Sequence, residues 1–234
     1  MERRTPVFIV CSPLPRVGKT LIAQLLVEFL LADRRPVAAF DVNPDGYTLA
    51  ERMPGYTTVA NVAGTKGQMA LFDQLIVADG TAKVVDLGYG SFDQFFTVME
   101  AIGFLAEAYR RAVVPAVLFI ADADDRARRA YAKLMARFPE LPLVPVLNAG
   151  TGSEAKPHGA RLDYAGMPLQ IPPLPPALKS LIARVGFSPE LFGESAADMP
   201  RELIAWTRRL FLEFRELELR LLLETLKPAL KLRA

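Results

Sequence analysis

Gly18-Lys19-Thr20 is the group of residues in this chain whose types and order carry the most chemistry. A helix that starts there leaves backbone N–H groups unpaired, and those donors together with the helix dipole attract anionic phosphate. Gly18 lets the backbone approach such a ligand closely. Lys19 is placed to put a cation on β- and γ-phosphate oxygens, and the Thr20 hydroxyl to ligate Mg²⁺. The stretch expected to touch the phosphates runs through Arg16, Val17, Gly18, Lys19, Thr20 and Leu21. Downstream, Asp41, Asp86 and Asn148 each close a short apolar run. Carboxylates are hard oxygen ligands suited to Mg²⁺, so Asp41 and Asp86 join Thr20 as candidate metal residues. The competing reading of both acids is ordinary strand-end capping or turn formation.

These residues need elements to position them. Val7-Phe8-Ile9-Val10 has the length and β-branching of a buried strand. After a loop with two prolines, Leu21, Leu25 and Phe29, and Leu26 with Leu30, recur at helical spacing. Strand, tight loop, Gly-Lys-Thr, helix is the context a phosphate-binding P-loop requires. The full pattern G-x-x-x-x-G-K-[ST] has Pro13 where its first glycine stands, and Pro13 and Pro15 carry no N–H to donate.

Further strands are predicted at Val37–Phe40, Ala82–Asp86, Pro115–Ala121, Leu143–Leu147 and Pro168–Ile171. Helices are predicted at residues 70–78, Ser91–Arg111, Asp122–Phe138 and Ala177–Val185, and residues 47–69 read as a loop region with room for one short helix. The alternation over the first 171 residues predicts an α/β fold: a mostly parallel sheet with helices on both faces. Acids at strand C-termini sit where open α/β sheets bind ligands. A nucleotide-binding domain over residues 1–172 and a helical extension over 173–234 are expected. A long helix from Pro200 to Leu226 carries Leu203, Trp206, Leu210, Phe214, Leu217, Leu221 and Leu222 on one wide apolar stripe. That stripe must be covered by its own domain, by a second copy, or by a membrane surface.

Composition is that of a globular protein, and a net charge of +2 makes no strong electrostatic case for DNA. Arg126, Arg128, Arg129, Lys133 and Arg137 cluster on one predicted helix; a DNA-contacting face and a solvated face are both consistent with them. Cys11 is the single cysteine and reads as a packed residue. With no visible signal peptide and no apolar run of membrane-spanning length, the expected location is cytoplasmic and a membrane role is not expected. His158 lies in a glycine-rich polar loop and reads as solvated.

The order of motifs resembles the ParA/MinD branch of P-loop NTPases, which also contains dethiobiotin synthetase and the cobyric acid synthase relatives. The residues that carry it are Val17-Gly18-Lys19-Thr20, Asp41-Val42-Asn43-Pro44-Asp45-Gly46, Val84-Val85-Asp86-Leu87-Gly88, Asn148, and Ile171-Pro172, spanning residues 7 to about 172. The resemblance implies a three-layer P-loop fold and a site for ATP and Mg²⁺. It implies that Lys19 and Asp41 are the catalytic pair, with Asp41 orienting the attacking water or a water on Mg²⁺. Asp86 would support Mg²⁺, Asn148 would read the adenine edge, and Pro172 would flank the base. It also implies a homodimer. The family's signature lysine, which reaches across that dimer, falls at Leu14 here, and the two glycines after it are Pro15 and Arg16.

Three functions follow as expectations. The first is a slow nucleotide-dependent switch in DNA partition, positioning or conjugative transfer, in which Mg²⁺–ATP orders a surface that hydrolysis releases. The second is an ATP-dependent ligase resembling dethiobiotin synthetase. The third is a hydrolysis-deficient scaffold that binds a protein partner through the C-terminal helix.

Overall fold

The computed structural model describes residues 4–44, 46, 48–149, 164–174, 178 and 201–231, with side chains described as far as 224. Among these, seven strands form one parallel sheet: β1 (Thr5–Cys11), β2 (Val37–Val42), β3 (Thr57–Val59), β4 (Ala82–Leu87), β5 (Val113–Ile120), β6 (Leu143–Asn148) and β7 (Leu169–Ile171). Their order is β3-β2-β4-β1-β5-β6-β7, and every pairing is parallel. β1 lies centrally, and the chain goes to opposite sides of it before and after β4. That makes the C-terminal end of β1 a topological switch point, where open α/β sheets leave a crevice for ligands.

Strand residues alternate between two cores, as a period of two requires. Phe8, Val84, Leu118 and Val146 face one core, shared with helices α1 (Lys19–Ala32) and α2 (Thr48–Arg52). Ile9, Val85, Val117 and Phe119 face the other, under helices α3 (Thr65–Leu75), α4 (Phe92–Ala101), α5 (Phe104–Arg110) and α6 (Asp125–Arg137). Cys11 is fully buried in this second core.

The long C-terminal helix, α7 (Arg201–Lys231), belongs to the first core. Leu203, Trp206, Leu210, Phe214 and Leu217 recur every three or four residues and are all buried there. Phe214 and Phe211 pack on Phe29 of α1 with ring centroids 5.5 and 5.4 Å away. The Trp206 indole N–H donates to the Pro172 carbonyl at 3.0 Å. Arg215 makes a forked pair with Asp33 at 2.8 and 3.2 Å, and Arg35 pairs with Glu218. So residues 201–217 cover the sheet of their own chain and share its core. Leu222, counted on the stripe from sequence, is exposed, as are Leu212, Leu219 and Leu223. The helix also continues past Pro228 to Lys231, beyond its predicted end. Truncating Phe214 to alanine is expected to cost about 3–5 kcal/mol, as for a fully buried aromatic. Urea denaturation checks this; a loss under about 1 kcal/mol would exclude α7 from the cooperative core.

Three local expectations change. The stretch 47–69 holds α2, the edge strand β3 and the start of α3. β3 has three half-buried or exposed residues and pairs only with β2, so no alternation marks it in the sequence. The predicted helix 91–111 is a short 3-10 turn (Tyr89–Ser91) followed by α4 and α5. It breaks at Gly103, whose φ of 63° turns the chain out of the helical register. The predicted helix at 177–185 and His158 lie outside the described residues, apart from Leu178, which is buried in the first core. Among the described residues no helix is long and apolar enough to cross a membrane.

Candidate functional site

The site forms where β1 ends. Ser12 Oγ accepts the Leu14 N–H at 3.3 Å, which folds the loop back at its start. The Leu14 side chain is half-buried and packs against the core under α3–α6. Arg16 sits at φ 57°, a left-handed conformation that costs a non-glycine residue about 1 kcal/mol or more. Gly18, at φ 93°, takes the left-handed geometry without that cost and forms the N-cap of α1. The cap has no side-chain partner, and the first turn of α1 contains no acid. The N–H groups of Lys19, Thr20 and Leu21 precede the first i→i−4 bond, which Ile22 makes to the Gly18 carbonyl at 3.1 Å. The positive end of a 14-residue helix therefore opens on this loop without a counter-charge from its own first turn.

In front of it is a cleft of about 780 Å³, lined by Arg16, Gly18, Lys19, Thr20 and Leu21 together with Pro15, Asn43, Gly46, Thr48, Arg52 and Tyr89. Lys19 is buried. Its ammonium donates to the Leu14 carbonyl at 2.6 Å and lies 5.9 Å from the Tyr89 ring centroid. Burial pulls the Lys19 pKa down, and the nearby Asp86 charge opposes that pull. Among the described residues, none of Arg16, Lys19 and Arg52 forms an ion pair. Three cations facing one cleft without an ion-paired carboxylate give it a positive potential that favours an anion.

Beneath the cations lie the two acids. Asp41 and Asp86 are neighbours in the β2–β4 register and are both buried. Asp41 Oδ2 accepts the Leu49 and Ala50 N–H groups at 2.9 and 3.1 Å, so this oxygen caps the start of α2. Its Oδ1 has no hydrogen-bond partner among the described residues, and neither do Asp86 Oδ2 and Asn43 Oδ1. Burial raises the Asp41 pKa, with the N–H bonds from α2 opposing. Burial pushes Asp86 up to about 7. A hydrogen bond from the Thr20 hydroxyl, the Lys19 ammonium and the Arg52 guanidinium work against the rise, while the Asp41 charge adds to it. The Thr48 hydroxyl bonds the Thr20 hydroxyl at 3.3 Å. Buried, unsatisfied carboxylate oxygens beside a threonine hydroxyl fit a hard divalent cation. Among the described residues no set of three His, Cys, Asp or Glu side chains could cage a metal alone.

The other predicted residues lie apart from the cleft lining. Asn148 Nδ2 donates to the Val17 carbonyl at 3.1 Å and so ties the end of β6 to the loop. Pro172 follows β7, and its carbonyl is held by Trp206. The structure thus brings Arg16, Gly18, Lys19, Thr20 and Leu21 to the cleft, with Asp86 bonded to Thr20 and Asp41 beside it in the sheet, while Val17, Asn148 and Pro172 are not among the residues that line it. Sequence reasoning missed Thr48, Arg52 and Tyr89. α2 is five residues long, too short for periodicity to reveal which of its residues face the loop. Compared with models of known protein families and with curated proteins, the chain matches none.

Proposed function

We propose that this chain binds Mg²⁺–ATP at the β1–α1 loop and works as a slow nucleotide-dependent switch of the ParA/MinD kind, in DNA partition, positioning or conjugative transfer. The observation that carries the reading is the uncapped N-terminus of α1 opening on a cleft lined by Arg16, Lys19 and Arg52, above Thr20 and two partly unsatisfied carboxylates. The amides of Lys19, Thr20 and Leu21 would hold phosphate oxygens, and the Lys19 ammonium would leave the Leu14 carbonyl for the β/γ oxygens. The Thr20 hydroxyl and Asp86 would hold Mg²⁺, which neutralises charge between the β- and γ-phosphates. Asp41 keeps one oxygen on α2, and its other oxygen, which has no hydrogen-bond partner among the described residues, would be the one to orient a water. Turnover is expected to be slow, because Pro13 and Pro15 remove loop amides and Leu14 offers no cation to a second copy. A homodimer follows from the same reading.

Calorimetric titration of the protein with ATP, GTP and ADP in Mg²⁺ tests it. Binding of ATP with turnover below about one per minute, and a mass increase to a dimer with nucleotide, support the switch. No binding of any of the three at millimolar concentration overturns it. The partner-binding reading has its own observation: Leu212, Leu219, Leu222 and Leu223 stay exposed on α7.

A further inference from the structure

The geometry points to Arg52 as the residue that contacts the terminal phosphate from within the same chain, an inference that rests on the nucleotide reading above. Arg52 ends α2 and lines the cleft with Lys19 and Thr20. It is half-buried, and its Nη1 donates to Oε1 of the fully buried Gln24 on α1 at 3.1 Å. One arm of the guanidinium is thereby fixed to the helix that starts at the phosphate loop. The planar group carries five donors in a fixed fork, so the remaining ones suit the oxygens of a phosphate.

Two further contacts hold α2 in place. Its N-terminal amides sit on Asp41, and Thr48 bonds Thr20. The guanidinium is near enough to the Thr20–Asp86 pair to act on the Asp86 charge. Thr20 and Asp86 are the residues that would hold Mg²⁺ in the proposed complex.

Sheet order supplies the direction. α2 follows β2, on the β4 side of β1, whereas Asn148 ends β6 on the β5 side. If the base lies on the β6 side, as the resemblance implies for Asn148, the phosphates would run across the start of α1 towards α2 and the last of them would come closest to Arg52. The triphosphate would then be sensed by a cation in cis, and Leu14, an uncharged residue, would supply none in trans.

The test uses the full chain and compares Mg²⁺–ATP with Mg²⁺–ADP by calorimetry. Arg52→Gln keeps an amide donor for Gln24 but removes the charge, and Arg52→Lys restores the charge without the fork. The expected result is that Arg52→Gln weakens ATP by about tenfold or more and ADP by less than about threefold, with Arg52→Lys in between. The ligand-free melting temperature should stay close to that of the parent, because the bond to Gln24 is kept, so that a change confined to the ATP-to-ADP ratio reports on phosphate contact and not on the fold. If wild type binds both nucleotides and Arg52→Gln leaves the ATP-to-ADP ratio unchanged, the Arg52 role is overturned and the nucleotide reading stands. If wild type binds neither nucleotide, both fall together.

Discussion

Lys19→Ala is expected to lower the affinity for Mg²⁺–ATP by at least about a hundredfold. The ammonium is buried at the start of α1 and lines the cleft, and in the proposed complex it would contact two phosphate oxygens. Charge-assisted hydrogen bonds contribute about 1.5–3 kcal/mol each, so losing two removes about 3 kcal/mol or more. In the free protein the same ammonium satisfies the Leu14 carbonyl and opposes the upward drift of Asp86. Its removal therefore raises the Asp86 pKa further and weakens the metal site along with the phosphate site. Calorimetry with ATP and with Mg²⁺ checks both effects, and circular dichroism confirms that the variant is folded. Retention of ATP affinity within threefold would mean that the anion is held elsewhere in the cleft.

Asp86→Asn should act in opposite directions on stability and on binding. In the unfolded chain this carboxyl ionises near 3.8, and in the fold near 7. Between those values the folded protein keeps a proton that the unfolded chain has released, so stability falls as pH rises through that window and is flat above it. Asparagine removes this dependence. In metal-free buffer at pH 8 the variant should be the more stable protein, by an amount on the order of a few kcal/mol. Chemical denaturation at pH 5 and pH 8 measures the difference. Binding should go the other way. A cation needs the carboxylate, so the affinity of wild type for Mg²⁺–ATP should rise from pH 6 to pH 8 with release of a proton. Asp86→Asn should lose both the rise and at least about tenfold in affinity at pH 8. Thr20, Asp41, Lys19 and Arg52 all face this carboxyl, and their pull is already part of its raised value. An Asp86→Asn variant with the same pH profile as wild type would exclude Asp86 as the group that titrates.

Both predictions use residues that are legible from type and spacing. Gly18-Lys19-Thr20 announces the site because its three roles, close approach, cation and hydroxyl, must be consecutive at a helix start. Asp41 and Asp86 can be found because each ends an apolar run. Arg52 and Thr48 could not be found in this way. Each reaches the cleft only because the Asp41 carboxylate caps α2 and sets it beside α1, a contact between residues whose local sequence carries no sign of it.

The sequence alone determined the alternation of strands and helices, the Gly18-Lys19-Thr20 start of α1, and the acids at the strand ends, because these depend on residues a few positions apart. Tertiary structure decided what lies far apart in the chain. It placed β2 beside β4, and so brought the two carboxylates together in one buried pair. It also folded residues 201–217 of α7 onto their own sheet. An apolar stripe must be covered, but its spacing does not say by what. Only the match of Leu210, Phe214 and their neighbours to the face formed by α1 and the sheet decides that.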